Sequence, residues 1–195
     1  MNKNWNKTIT CIAVCFSAQA ACAGLYFDYQ NQKISFDNIS PNLSGLSIGY
    51  SWLENRTLYV EADFINDSEF DIRYWGGVLG YNHGLFRGTD IDVYFNFGIG
   101  IGELDVNYYQ NKNTLISIPL GLSSSYSFTE KFHLDLGIGY RYFIDLTENT
   151  KCKDGTTSES TGSGTCSWHG GIARYQDKVG DGGGAFYRAG LRYSF

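Results

Sequence analysis

Eight segments of the chain alternate between apolar and other residues with a period of two, and this repeated alternation constrains the fold most strongly. In the clearest segment, residues 90–101, every odd position holds Ile, Val or Phe, and every even position holds Asp, Tyr, Asn or Gly. A period of two places successive side chains on opposite faces of a β-strand. Each segment has about ten residues, which is enough to cross a bilayer when the strand is tilted by ~45°.

The face opposite the apolar one distinguishes a membrane barrel from a soluble fold. It carries Ser, Gly, Asn, Asp and Arg at positions where the core of a β-sandwich needs Val and Leu. A soluble barrel of the lipocalin kind would be apolar inside and polar outside. The apolar faces are therefore predicted to point outwards into lipid. The predicted fold class is all-β, an eight-stranded antiparallel up-and-down transmembrane β-barrel with a polar interior.

Two segments depart from this simple alternation. In the first, the apolar positions switch parity between Tyr29 and Ile34, which indicates either a bulge or the strand leaving the membrane. In the fourth, residues 72–81 carry apolar side chains and Gly at both parities, so its facing stays open. Residues 82–89 are predicted to form a turn that is somewhat long for the periplasmic side of such a barrel.

The last stretch of the chain, residues 185–195, alternates in the same way and ends in Tyr193-Ser194-Phe195. An aromatic residue beside the terminal carboxylate is natural at a membrane interface. This stretch resembles the C-terminal strand of Gram-negative outer-membrane β-barrels. The whole pattern resembles the small barrels of the OmpA-transmembrane, OmpX/Ail and opacity-adhesin superfamily. The resemblance implies a monomeric barrel whose last strand pairs with the first, and an assembly signal at Tyr193 and Phe195 read by the barrel-assembly machinery.

The first 23 residues are predicted to be a cleaved secretory signal peptide, which leaves residues 24–195 as the barrel. Lys3 and Lys7 precede a short apolar stretch at residues 8–16 and then small residues. Cleavage after Ala20 competes with cleavage after Ala23, and the second removes three of the five cysteines together. A lipoprotein anchored at Cys22 is an alternative, although Gln19 stands where a lipobox has Leu.

The two remaining cysteines, Cys152 and Cys166, frame a Gly/Ser/Thr-rich stretch within a predicted long loop at residues 147–183. Both thiols would meet an oxidising compartment, so a disulfide is expected between them. The loop is interpreted either as a surface loop stapled against proteolysis or as an adhesive loop. In the second interpretation the contacts would be Trp168, His169 and Tyr175.

Topology follows from counting strands. If the N-terminus lies in the periplasm, the connections near residues 54, 85 and 130 are periplasmic turns. The connections near residues 40, 68 and 108 and the loop at 147–183 are then extracellular, at the cell surface of a Gram-negative bacterium.

Seven charged residues are predicted to point into the lumen and to form a charge network. They are Glu61, Asp63, Asp92, Asp135, Arg141, Arg188 and Arg192. Heights along the strands predict two tiers, with Arg192 near Asp135 at the periplasmic level. Above them, Arg141 or Arg188 is expected to meet Glu61 or Asp63. Such residues either hold the barrel shut or line a small gated pore, because side chains fill the interior of an eight-stranded barrel.

The charge balance and the histidines exclude several classes of function. The chain has a net charge of −5, and loss of Lys3 and Lys7 makes it −7, which lacks the basic footprint of a nucleic-acid-binding protein. His83, His133 and His169 are scattered and show neither metal-ligand spacing nor the Phe-x-His-x-Ser-Asn arrangement of lipid A deacylases. We therefore expect no catalytic residues, no metal and no cofactor.

A structural or surface-interaction role in the outer membrane is the function that this reasoning favours. Two alternatives stay open, a narrow channel of porin-like character for small solutes and a lipid-modifying enzyme of the outer membrane. The expected partners are outer-membrane lipids and lipopolysaccharide, the barrel-assembly machinery, and an extracellular ligand bound through the loops.

Overall fold

The computed structural model describes residues 24–37, 39–52, 57–106, 111–147, 150–158, 164–174 and 178–195. The predicted signal peptide and Tyr175 lie outside these ranges. No α-helix within them is long and apolar enough to cross a membrane. The barrel wall consists of β1 (Gly24–Lys33), β2 (Asn42–Trp52), β3 (Leu58–Asp67), β4 (Ile72–Arg87), β5 (Ile91–Val106), β6 (Asn111–Ser127), β7 (Phe132–Asp145) and β8 (Gly182–Ser194).

These eight strands form one closed antiparallel barrel, which confirms the predicted fold class. Each strand pairs with its neighbours in sequence, and β8 closes the wall by pairing with β1. If paired residues are followed from strand to strand once around the barrel, a path that starts at His83 on β4 returns to β4 at Arg73. The strands are therefore staggered by ten residues over one full turn. A stagger of this kind inclines the strands by roughly 35–45° to the barrel axis.

The two ends of the barrel differ. The turn end carries Gly24, Ser194 and the connections at residues 53–57, 88–90 and 128–131. The loop end carries the connections at residues 34–41, 68–71, 107–110 and 146–181. In the first of these, a short strand at Ser35–Phe36 continues the pairing with β8 at Gly182 and Gly183. The prediction of a turn over residues 82–89 is wrong, because β4 continues to Arg87 through a register shift between Gly84 and Phe86. A bulge, rather than an early turn, absorbs the irregular sequence there.

A belt of apolar side chains covers the outside of the barrel. On β5 the belt runs from Ile91 to Ile101 at alternate positions and ends at Glu103. At ~3.3 Å per residue and a tilt of ~45°, this distance is roughly 23 Å along the axis. The apolar band of transmembrane barrels has a height of ≈ 25 Å.

The structure also answers which side of the fourth strand faces outwards. Trp75 and Leu79 are exposed on the belt, whereas Tyr74 and Val78 are buried in the lumen. The strand was ambiguous from sequence because large apolar residues occupy both of its faces.

Apolar residues fill the lumen at the loop end, and this apolar plug explains the parity switch of the first segment. Burial alternates without a break from Gly24 to Phe36, so the strand has no bulge there and Ile34 and Phe36 point inwards. Phe143, which is fully buried, packs against Phe36 and Tyr74 with ring centroids 5.9 and 5.5 Å away. The apolar plug comprises Ile34, Phe36, Leu43, Ile65, Ile72, Tyr74, Leu104, Val106, Leu115, Phe143 and Val179. Between the turn end and this plug, the lumen holds buried polar and charged side chains together with a smaller apolar cluster of Tyr26, Tyr59 and Val78.

Candidate functional site: the closed lumen and the long loop

The middle of the lumen is occupied by Arg141, whose side chain is only 2% exposed. Its Nη1 donates a 2.6 Å hydrogen bond to Asp63 Oδ2 on the opposite wall, and its Nη2 lies 3.5 Å from Glu61 Oε1. Both acids project from β3, because residues two apart on a strand share a face. One guanidinium therefore bridges two buried carboxylates.

Arg188 joins the same cluster from β8. Its Nη1 donates to Glu61 Oε2 at 3.0 Å, and its Nε lies 3.8 Å from Asp28 Oδ2. Asp28 is buried and belongs to this network, although the sequence analysis did not include it. Its place opposite the outward Phe27 and Tyr29 was the available signal.

Uncharged side chains complete the hydrogen bonding of the two central acids. Ser47 Oγ and Gln30 Nε2 donate to Asp63 Oδ1 at 2.6 and 3.1 Å. The Tyr26 hydroxyl donates to Glu61 Oε2 at 3.0 Å. Each of the two acids therefore has three side-chain partners, which together hold it in one position.

A second ion pair lies nearer the turn end. Arg192 contacts Asp135 Oδ2 through Nη2 at 2.6 Å and through Nε at 2.7 Å, and its guanidinium lies over the Tyr26 ring at 5.4 Å. This is the lower pair that the strand heights predict, and Arg141 with Asp63 and Glu61 is the upper one. Asp92 joins neither group; it accepts a 2.9 Å hydrogen bond from the Tyr94 hydroxyl.

Together these layers close the lumen along its length. The lower ion pair, the Arg141 cluster and the apolar plug follow one another from the turn end to the loop end. The Arg141 guanidinium also covers the Phe186 ring at 5.7 Å, which fills the wall side of the middle layer. This interior is that of a packed core rather than of a water-filled pore.

The long loop carries a small folded unit, here called the loop module, at residues 150–158 and 164–174. A three-residue strand at Thr150–Cys152 pairs with Thr157–Ser158 on one side and with Ile172–Arg174 on the other. A disulfide joins Cys152 to Cys166 with Cα atoms 5.3 Å apart, which confirms the predicted pairing. Backbone hydrogen bonds from Lys153 to Gly171 and from Gly171 to Cys166 hold the unit together.

Asp145 joins both ends of the loop to the barrel rim. Its Oδ1 accepts from Thr147 N at 2.8 Å and its Oδ2 from Gly180 N at 3.1 Å. Asp145 N in turn donates to Asp181 Oδ1 at 2.9 Å. Both ends of the long loop are therefore fixed at the barrel rim, and Val179 near its second end belongs to the apolar plug.

Asp154, His169 and Trp168 lie on the surface of the loop module. Asp154 Oδ1 accepts from the Thr156 hydroxyl at 2.6 Å and from Thr156 N at 3.0 Å, and Oδ2 lies 2.6 Å from His169 Nδ1. The Thr156 hydrogen bonds, with a smaller contribution from His169, lower the pKa of the Asp154 carboxyl to about 2. Trp168, beside His169 on a short 3-10 turn, is 96% exposed. A fully exposed indole places a large apolar surface in water, which is unfavourable unless a partner covers it.

The other histidines lie elsewhere. His83 faces outwards on β4, and His133 is buried at the turn end with Ser127 Oγ 2.8 Å from Nδ1 and Ser194 Oγ 3.1 Å from Nε2. The histidines thus occupy three separate places. Within the described ranges, no three His, Cys, Asp or Glu side chains come together in a way that could hold a metal ion.

The predicted assembly signal lies on the closing strand. The Tyr193 ring packs edge-on against Phe132 at 5.1 Å and Phe195 at 5.3 Å, and Phe195 is exposed at the turn end. The three rings form part of an aromatic girdle of the kind found at the interfaces of membrane barrels.

Comparison with solved structures shows that this fold is shared with small outer-membrane barrels. Neisserial surface protein A matches with a TM-score of 0.57 at 15% identity, over 89% of this chain and 97% of that one. Ail, the attachment invasion locus protein of Yersinia pestis, matches with a TM-score of 0.50 at 11% identity, over 90% and 99% of the two chains. Both are eight-stranded outer-membrane β-barrels.

Comparison of sequences finds a match in the long loop. Residues 148–175 match a family described as a domain of unknown function (DUF3761). This range encloses the loop module and its disulfide. No curated protein matches the chain.

Proposed function

We propose that the protein is an integral outer-membrane β-barrel that presents the loop module at the cell surface and binds an extracellular ligand through it. The observation that carries the proposal is the combination of a closed lumen with a folded, disulfide-bonded loop whose Trp168 is 96% exposed. Exposed aromatic side chains on a rigid support are frequent anchors of protein interfaces. A loop that served only as a connection would need neither a sheet nor a disulfide.

The outer belt supports the membrane placement. Its height of roughly 23 Å on β5 fits the apolar band of an outer-membrane barrel, and charged residues begin at Glu103 beyond it. In this orientation the turn end faces the periplasm and the loop end faces outwards. The shared fold agrees with that placement, and the names of the two similar barrels, a surface protein and an attachment invasion locus protein, agree with a role at the surface.

A binding role is preferred over transport and over catalysis. The ion pairs and the apolar plug leave the interior packed, which argues against a channel for small solutes. His169 has Asp154 as a partner, but their short contact belongs to a cluster that folds the loop module around Thr156. We propose that the protein acts as a monomer, since the closed wall leaves no strand edge for pairing with a second copy.

Membrane placement is tested by fractionation and by heat-modifiable mobility in gels. We expect the protein in the outer-membrane fraction, with a compact unheated form that migrates differently after boiling. Recovery of the protein as a soluble periplasmic species would refute the proposal.

Ligand binding is tested by the adhesion of bacteria that express the protein to epithelial cell monolayers. Trp168→Ala is expected to reduce adhesion by roughly tenfold or more, because a buried interface Trp commonly contributes 2 kcal/mol or more. Phe70→Ala is the matched control, since Phe70 is an exposed aromatic residue in a different connection at the loop end. Equal adhesion by wild type, Trp168→Ala and a variant without residues 150–174 would remove the loop module from the proposal.

A further inference from the structure

Trp168 stands on a tightly held turn of the loop module. The turn is a 3-10 helix at Ser167–His169, and the residues at its two ends, Cys166 and Gly170, have left-handed backbone conformations with φ of 61° and 74°. This conformation is uncommon for a residue other than Gly, and it persists where the surrounding structure imposes it. The disulfide and the hydrogen bond from His169 N to Cys166 O do so here. The indole is therefore presented on a rigid support.

His169, the next residue on this turn, has its ring orientation and its proton position fixed by Asp154. The Thr156 hydrogen bonds keep the Asp154 carboxyl ionised, and a carboxylate can only accept hydrogen bonds. His169 Nδ1, which lies 2.6 Å from Asp154 Oδ2, therefore carries the donated hydrogen. In the neutral imidazole, Nε2 on the other side of the ring is then an acceptor. Because the His169 side chain is 48% exposed, this outer side of the ring can reach a ligand.

Lys153 supplies a donor on the same surface. A Cβ added to Gly171 would lie 3.9 Å from Lys153 Nζ, so the ammonium lies beside the main chain just after the turn. Lys153 N also donates to Gly171 O at 2.9 Å. Lys153, Asp154, Trp168 and His169 are here called the module tip. They combine an apolar plane, a cationic donor and an oriented acceptor, and the positive charge of Lys153 stands next to the negative charge of Asp154.

The chemistry of the module tip suits a neutral sugar. A pyranose ring offers C–H groups that can lie on an indole, and its hydroxyls need donors and acceptors at the edge of that contact. A protein partner is a poorer fit, because a Trp that anchors a protein interface lies within a ring of further contacts that exclude water. The neighbours of Trp168 along the turn, Ser167, His169 and Gly170, are exposed and polar or small. A strongly anionic ligand would be repelled by the Asp154 carboxylate beside Lys153.

We infer that the module tip binds a terminal galactose of cell-surface glycans, with the sugar stacked on Trp168 and its hydroxyls hydrogen-bonded to His169 and Lys153. Galactose fits an indole better than glucose or mannose does, because its axial 4-hydroxyl leaves the C–H groups of carbons 3, 4 and 5 together on one face. In the other two sugars the 4-hydroxyl is equatorial, and these C–H groups point to alternate faces. The inference rests on the proposed function, since it names the class of ligand that the loop module holds at the cell surface.

The test measures attachment of bacteria that express the full-length protein to surfaces coated with galactosyl-albumin, mannosyl-albumin, heparin or unmodified albumin. Many copies on one cell act together, so even a weak single contact becomes measurable. We expect attachment to galactosyl-albumin alone, and we expect free galactose to abolish it. Trp168→Ala should reduce this attachment roughly tenfold or more.

Three matched variants separate the parts of the site. Trp168→Tyr keeps a flat ring and should keep most of the attachment, whereas His169→Ala removes the oriented acceptor and should weaken attachment severalfold. Phe70→Ala, an exposed aromatic residue outside the loop module, should leave attachment unchanged. Resistance of the loop module to trypsin and heat-modifiable mobility show that each variant is folded and in the outer membrane.

Equal attachment to all coatings, attachment to heparin or mannosyl-albumin in place of galactosyl-albumin, or full attachment by a folded Trp168→Ala variant would overturn the inference. Adhesion of the same strains to epithelial monolayers separates this failure from failure of the proposed function. If that adhesion requires Trp168 but is insensitive to free galactose, the sugar is refuted and the proposed function stands. If neither adhesion nor attachment changes when residues 150–174 are removed, both are refuted.

Discussion

Arg141 on β7 donates a 2.6 Å hydrogen bond to Asp63 on β3, directly across the barrel. The contact joins opposite walls through residues that are 78 positions apart in the sequence. Because Glu61 lies 3.5 Å from the same guanidinium, Arg141 is the shared cation of the central cluster. The barrel is thereby cross-braced at its middle level, independently of the hydrogen bonds of the wall.

Replacing Arg141 is expected to destabilise the barrel strongly. Arg141→Met keeps most of the side-chain volume but leaves Asp63 without its cation and Glu61 with Arg188 alone. Removal of one partner of a buried ion pair commonly costs 3–5 kcal/mol. Unfolding by urea in lipid vesicles, followed by tryptophan fluorescence, measures the loss. Arg73→Met is the control, since its pair with Asp71 is 3.6 Å long and exposed, and such pairs contribute at most ~1 kcal/mol. Equal losses in the two variants would contradict a central role for Arg141.

The closed lumen is expected to show no stable conductance in planar bilayers. Arg141→Ala alone should stay silent, because the apolar plug still blocks the loop end of the lumen. The double variant Arg141→Ala/Phe143→Ala removes the centre of both layers and is expected to admit ions. Stable single-channel steps from the wild-type protein would contradict the packed interior, and a silent double variant would show that the remaining plug residues are sufficient.

Strand heights predicted the charge tiers because a closed antiparallel barrel leaves little freedom in register. Short turns fix each strand against the next, and inward parity then places Arg192 beside Asp135 and Arg141 opposite Asp63. Asp92 departs from the prediction because it lies near the turn end and has Tyr94 as its partner. Asp28 has the inward parity too, between the outward Phe27 and Tyr29, but it was not among the predicted charges.

The apolar plug was beyond the reach of the alternation pattern. In the sequence, an inward Ile34 or Phe36 looks like a residue that faces lipid. The inward face of this strand changes from polar to apolar at the plug, and the pattern alone cannot distinguish that change from a switch of the outward face. The loop module was missed for another reason: its strands have three residues or fewer, and its disulfide and side-chain contacts bring together residues that no periodicity links. The disulfide itself followed from cysteine counting alone.

The acidity of Asp154 is expected to depend on Thr156. The pKa of Asp154 is lowered to about 2, so its hydrogen bonds contribute to loop stability above the ordinary pKa of ~3.9 and are lost as the pH falls towards 2. Thr156→Ala should raise the pKa of Asp154, whereas Thr156→Ser keeps the hydroxyl and should leave it low. The ¹³C shift of the Asp154 carboxyl as a function of pH reports this value directly. An identical titration in the two variants would assign the shift to another group.

Loss of Phe195 is expected to slow barrel assembly several-fold. The residue directly follows β8 and packs against Tyr193, whose strand partner on β1 is Leu25. Pulse-labelling followed by heat-modifiable mobility measures the rate of appearance of the compact form. Phe128→Ala is the control, because Phe128 is an exposed aromatic residue in the neighbouring turn at the same end. The predicted assembly signal would be wrong if both variants assembled at the same rate.

Reduction of the disulfide is expected to loosen the loop module and leave the barrel intact. The Cys152–Cys166 bond spans 14 positions, and closing a loop of ~15 residues stabilises a folded unit by about 3 kcal/mol in the chain-entropy model. In Cys152→Ser/Cys166→Ser, trypsin should therefore cut near the exposed Lys151 and Lys153 much faster than in wild type. The wall carries its own ladder of hydrogen bonds, so heat-modifiable mobility and urea unfolding of the barrel should not change. Slow cleavage in the double variant would show that the short sheet alone holds the loop module, whereas a destabilised barrel would show that the loop module and the apolar plug fold as one unit.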